Sequence, residues 1–142
     1  MSLMKVFDTA GSGMAAESLR LNTVASNLAN ANSVSSSPDT AYKAKELLFA
    51  PLLQQQGGPA ATTDSTSVGV HMAGVTENQQ PVESHYEPGN PMADANGFVY
   101  GSNVNPIDEL VNMISASRSY QNNVEVMNTT KQLMLKTISL GS

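Results

Sequence analysis

The chain has no cysteine, no tryptophan, only four tyrosines and three phenylalanines, and two histidines in 142 residues. Without cysteine it can hold neither a disulfide nor a thiolate metal site. That fits a reducing compartment, or a chain that crosses membranes unfolded and cannot depend on disulfides. Scarce aromatics remove the side chains that usually anchor a large core. His71 and His85 lie apart from each other and from paired carboxylates, so spacing supports neither a metal centre nor a Ser-His-Asp triad. Seven Lys and Arg stand against twelve Asp and Glu, a net charge of -5 with no basic run, which argues against nucleic acid as a partner. No apolar run approaches the roughly 20 residues needed to span a bilayer. The N-terminus shows neither the apolar core nor the cleavage site of an ordinary secretory signal.

What the sequence does contain is two long amphipathic stretches, one at each end. Alternate steps of four and three pick out Leu3, Phe7, Ala10, Met14, Glu17, Leu21, Val24, Leu28 and Ala31, a heptad-like seam broken only by Glu17. The opposite face is Asn, Ser and Thr, and between Ala10 and Ser36 the only charges are Glu17 and Arg20. An isolated soluble helix would carry Lys and Glu there. The pattern predicts an assembly helix over residues 1–32, with Asn27 and Asn30 turned toward neighbouring subunits.

The second stretch, over residues 105–142, repeats the spacing at Leu110, Met113, Ser117, Tyr120, Val124, Met127, Lys131, Met134 and Ile138. Its polar face includes Asn122 and Asn123, again expected at subunit contacts. Asn105 suits the cap, Pro106 the first helical position, and Asp108 and Glu109 the positive end of the dipole. Lys131 and Lys136 suit the other end, and Gly141 a stop. A compact body of this length has a radius of gyration of about 14 Å, whereas a 30-residue helix is ~45 Å long. Both helices would overhang any core the middle could build. The alternative is an intramolecular helix pair, which would leave the uncharged faces wet.

Between them, residues 33–104 change texture. Residues 32–41 are a breaker-rich linker and 54–67 a low-complexity loop. A strand is expected within 42–53, ending before Pro51, and a second over Val68 to Met72. Residues 80–93, with Pro81, Pro88 and Pro91, should be extended or turned. Asp94-Ala95-Asn96-Gly97 should turn into a third strand at Phe98-Val99-Tyr100. His71 is expected on a strand face and His85 in a loop. The fold class is therefore α+β: terminal helices pairing as a coiled-coil-like layer, with a small β-rich middle and long loops.

Enzyme motifs are weak. Gly11-Ser12-Gly13-Met14-Ala15-Ala16 matches the dinucleotide fingerprint only formally, since no strand precedes it, and reads better as a flexible spot in the first helix. Asp94 and Asn96 before Gly97 suggest a calcium loop, but Met92 and Asn103 occupy ligand positions, so a turn is the better reading. Met113, Met127 and Met134 could line a peptide groove but fit adaptable packing better. No catalytic residue, metal or cofactor is implied.

Residues 4–32, above all Leu21-Asn-Thr-Val-Ala-Ser-Asn-Leu-Ala-Asn-Ala-Asn with Tyr42-Lys43, resemble the N-terminal signature of bacterial flagellar rod and hook proteins. Ser117-Arg-Ser-Tyr-Gln-Asn-Asn-Val-Glu-Val resembles their C-terminal signature. Within that family the short length, Tyr86-Glu-Pro-Gly-Asn-Pro-Met-Ala-Asp-Ala-Asn-Gly-Phe-Val and Asn103-Val-Asn are similar to the proximal rod type. The 54–67 loop and Tyr100-Gly-Ser depart from it. The resemblance implies a structural subunit of the periplasmic drive shaft, exported without a cleaved signal through the flagellar type III apparatus. It also implies assembly with copies of itself and with rod proteins of the FlgB, FlgF, FlgG and FliE types, by way of Phe7, Met14, Leu21, Val24, Leu28 and the second seam. A needle or translocator subunit of another type III system is the alternative, and an enzyme hidden in the middle a more distant one.

Overall fold

The computed structural model describes residues 3–53 and 67–140. In chain order they form α1 (Leu3–Asn30), β1 (Val34–Ser35), β2 (Lys45–Leu53), β3 (Ser67–Glu77), β4 (Ser84–Tyr86), β5 (Phe98–Gly101) and α2 (Pro106–Leu140). Two long terminal helices flank a small antiparallel middle, an α+β architecture. By contacts the chain divides into two compact units, each taking part of both helices.

Side-chain and backbone caps mark the helix ends, and Asp108 and Glu109 stand in the first turn of α2 as the dipole favours. Asn105 caps α2 as expected: its Oδ1 accepts from Ile107 N at 3.0 Å and its carbonyl from Glu109 N at 3.1 Å, with Pro106 at the first helical position. The last turn of α2 has no basic residue, Lys136 falling just before it. The Gly141 stop lies outside the described residues. At the end of α1, which has no basic residue in its last turn, Ser33 donates from both its N and its Oγ to the Asn30 carbonyl, at 3.1 and 2.7 Å. These bonds satisfy an acceptor that the helix itself cannot.

One unit comprises Arg20–Leu47 and Val75–Ser115. Its sheet has the order β1-β5-β4, all antiparallel, with Val34 opposite Gly101, and Ser84, His85 and Tyr86 opposite Tyr100, Val99 and Phe98. Val99 on the central strand is 1% exposed, and Val24, Ala41, Ala44 and Val104 complete a core of small side chains. The linker is not free chain, because Ser37 and Thr40 close a turn in which Ala41 N donates to Ser37 O at 3.1 Å.

The turn into β5 forms as the sequence indicates. Asp94 N donates to Phe98 O at 2.8 Å and Gly97 N to Asp94 O at 3.0 Å, while Gly97 takes φ +83°. A Cβ at Gly97 would lie 2.9 Å from the Tyr86 ring and 3.2 Å from Pro88, so both the dihedral and the space demand glycine. Gly97→Ala should therefore lower stability by about 1–3 kcal/mol, read from urea unfolding.

The described residues of the other unit are 3–19, 48–53, 67–74 and 116–140. Small residues let its backbones approach, Ala116 being fully enclosed and Ala10 4% exposed. A Cβ on Gly13 would meet Asn123 Nδ2 at 2.9 Å, so α1 and α2 touch closely there. Ser12 Oγ donates to Thr9 O at 2.9 Å and accepts from Val70 N at 3.2 Å, and β3 runs so near that a Cβ at Gly69 would lie 2.6 Å from it. The formal dinucleotide motif is thus helical: Ser12 anchors a strand and Gly13 admits a helix.

Several elements differ from expectation. β2 runs through Pro51 to Leu53 instead of stopping before it, because its two-stranded pairing with β3 leaves one edge open where a missing N–H costs nothing. β3 is longer than expected, Ser67–Glu77. β1 lies in the supposed linker, and β4 places His85 on a strand rather than in a loop. Most of the low-complexity loop, 54–66, lies outside the described residues.

Candidate assembly surface

The seam residues sort by burial along each helix. In the unit holding the end of α1, Val24 is buried, Leu21, Leu28 and Asn30 are half-buried, and so is Met113 of α2. Leu110 is half exposed, at 50%. In the other unit Phe7, Met14, Tyr120, Asn123, Val124, Met127 and Met134 are half-buried, whereas Asn122 and Ile138 are exposed. The buried positions of α2 are Ala116 and Thr130, while Ile107, Val111, Ile114, Leu133, Leu135 and Ile138 stay exposed.

Asn27 departs from its expected role. It is 1% exposed and is enclosed by its own chain, not presented to a neighbour. Its Oδ1 accepts from Tyr42 OH and from Lys45 N, both at 3.0 Å, and its Nδ2 donates to Lys45 O at 3.0 Å. The Glu109 carboxyl lies close enough to this side chain to feel its amide. An amide offers two donors and two acceptor positions, so Asn27 is essentially saturated. Asn103 grips the same segment from the other side: its Oδ1 accepts from Ala44 N at 2.7 Å and its Nδ2 donates to Asn78 O and Gln80 O at 3.1 and 2.9 Å. Irregular backbone entering β2 lacks ladder partners and needs such side chains. The signal was the recurrence of Asn beside breaker-rich linkers. Asn30 Nδ2 donates to the Ser26 carbonyl of its own helix at 2.8 Å.

Glu109 lies in the first turn of α2, and its buried Oε2 has no hydrogen-bond partner among the described residues. Burial raises its carboxyl above the usual glutamate value; Asn27 opposes that shift, Asp108 and Glu46 add to it, and Arg20 opposes it. The folded chain therefore holds this proton at a pH where the unfolded chain has released it. The associated stability is complete below the ordinary value of 4.5 and is lost as pH rises through the higher folded value. Glu109→Gln should flatten that dependence and raise the urea midpoint near neutrality, with little change in mild acid.

The outer face of α2 carries an unpaired apolar stripe. Ile107, Leu110, Val111 and Ile114 fall at i, i+3, i+4 and i+7 and are 50–72% exposed. Only Leu110 was anticipated, because a single-seam heptad reading passes over a second stripe offset from the first. In the other unit, taken by itself, the β2 and β3 ribbon leaves Leu48, Phe49, Leu52, Val70 and Met72 exposed. Among the described residues no three His, Asp or Glu side chains gather as metal ligands would, and no helix is long and apolar enough to cross a membrane. The stripe on α2 is by itself suited to protein contact.

Comparison with known proteins agrees with that chemistry. Residues 7–35 match the family described as "Flagella basal body rod protein", and residues 95–140 match "Flagellar basal body rod FlgEFG protein C-terminal". The chain belongs to the flagellar basal-body rod proteins. It is 51% identical to the flagellar basal-body rod protein FlgC of Salmonella typhimurium over 141 residues, 99% of each chain. FlgC of Escherichia coli O157:H7 is likewise 51% identical, and FlgC of Buchnera aphidicola from Acyrthosiphon pisum is 42% identical, each with 99% of both chains covered.

Proposed function

We infer that the chain is a structural subunit of the flagellar basal-body rod, assembling with itself and with other rod proteins through its terminal helices to transmit torque in the proximal rod. The observation that carries this reading is the exposed stripe Ile107, Leu110, Val111 and Ile114, a helix face with the geometry of a contact that no described residue covers. Charge placement supports contacts between unlike surfaces. The unit of Arg20–Leu47 and Val75–Ser115 carries eight acidic and three basic residues, while the other carries four of each. Copies meeting through two acidic units would repel, whereas unlike units can meet without that cost. Such heterologous contacts, when they do not close, build tubes.

Neighbours of the FlgB, FlgF, FlgG and FliE types, and passage through the flagellar type III export apparatus into the periplasm, are parts of the same proposal, which membership of the rod family supports. The role is structural, not enzymatic. A needle or translocator subunit is disfavoured because the matched segments at both ends are rod segments. Electron cryomicroscopy of purified basal bodies tests the reading: density bearing this sequence should lie in the rod nearest the inner-membrane ring. Intact rods in a strain lacking the chain, or density confined to the hook, would overturn it.

A further inference from the structure

Asn96 is exposed and is followed by Gly97, the one described residue with positive φ. Glycine leaves its backbone nitrogen unscreened, so an Asn-Gly pair is the sequence most open to attack of that nitrogen on the asparagine side chain. We propose that Asn96 is a site of spontaneous imide formation and hydrolysis, and that the Asp94 carboxylate holds the reaction off while the turn is folded.

In the chemical step Gly97 N gives its proton to solvent base and bonds to Asn96 Cγ, closing a five-membered succinimide. The bond from Cγ to the side-chain nitrogen breaks, and ammonia leaves with the transferred proton. Water then opens the ring, at Cγ to give aspartate or at the Asn96 main-chain carbonyl to give isoaspartate. No oxidant or reductant enters.

The fold opposes the first of these events. Gly97 N is engaged with Asp94 O at 3.0 Å. Asp94 Oδ1 accepts from Asn96 N at 2.8 Å and Phe98 N at 2.9 Å, and Oδ2 accepts from Tyr100 OH at 3.2 Å. These bonds, led by that from Phe98, hold the Asp94 carboxyl below the usual aspartate range, so the clamp is charged at any pH where imide formation is appreciable. For Gly97 N to attack Cγ, its bond to Asp94 O must first open. The reaction rate then follows the population of the open turn. The isoaspartate product lengthens the main chain by one carbon and places a second negative charge beside Asp94, which would dismantle the clamp that had delayed it.

The test incubates the full chain in mildly alkaline buffer, and separately in urea, and follows Asn96 by peptide mass spectrometry with isoaspartate-specific labelling. In buffer Asp94→Ala should react about tenfold faster than the parent, as expected when local opening is made easier. Asp94→Asn, which keeps the Oδ1 acceptor, should stay closer to the parent than to Asp94→Ala. In urea all three should react alike and faster than at Asn122, which precedes Asn rather than Gly. Equal rates for parent and Asp94→Ala in buffer would overturn the clamp, as would Asp94→Asn reacting as fast as Asp94→Ala. An Asn96 no faster than Asn122 in urea would overturn the site itself. Circular dichroism separates a local opening from loss of the whole fold, and an Asp94→Ala variant that is globally unfolded is replaced by Tyr100→Phe. That change removes one clamp bond and should give a smaller acceleration in the same direction, so no acceleration would count against the clamp.

Discussion

Asn27→Ala should cost the fold about 2–4 kcal/mol, because it strips partners from Lys45 N, Lys45 O and Tyr42 OH at one step. These groups lie beside a side chain that is 1% exposed, so water cannot replace it without opening the site. Asn27→Asp keeps the shape but exchanges a donor for a charge that faces Lys45 O and the Glu109 carboxylate, and it should be at least as damaging near neutrality. Urea unfolding of the purified chain measures both. A loss below about 0.5 kcal/mol, the ordinary range for a surface change, would show that Asn27 is not the intrachain joint described above.

Leu110→Asp and Ile114→Asp should behave in the opposite way. Both positions are at least half exposed in the single chain, so monomer stability should stay within about 0.5 kcal/mol of the parent. In an assembled rod the same carboxylate would be buried without a partner, a penalty of several kcal/mol that recurs at each copy. Secretion should be retained while incorporation and swimming are lost. Normal motility of both variants would remove this face from the assembly surface. The two sets of substitutions separate fold from function: one breaks the subunit, the other only its contacts.

Much of this was legible in the sequence, and the misses have a common cause. Helix signals are local, so Asn105, Pro106 and the 3.6-residue period placed α2 correctly, and Asp94 with Gly97 placed the turn before β5. Chemistry that depends on distant partners was not legible. Asn27 read as one amide in an uncharged face, yet its partners lie 15 and 18 residues away at Tyr42 and Lys45. Asn123 read as a contact for another subunit, but within its unit it meets Gly13. β1 is two residues long and exists only because β5 offers a partner, so no periodicity could announce it. The stripe from Ile107 to Ile114 was present in the sequence all along. A single heptad seam on that helix accounts for Leu110 but not for its neighbours on the second stripe.

The absence of cysteine makes the most direct test simple, since a single introduced thiol is unique. Ile114→Cys can be labelled with a maleimide in the purified monomer and, separately, in isolated basal bodies containing the same variant. The thiol should react rapidly in the monomer, where position 114 is 55% exposed, and be strongly protected in the rod. Equal labelling in the two states would contradict the claim that this face of α2 is an assembly contact.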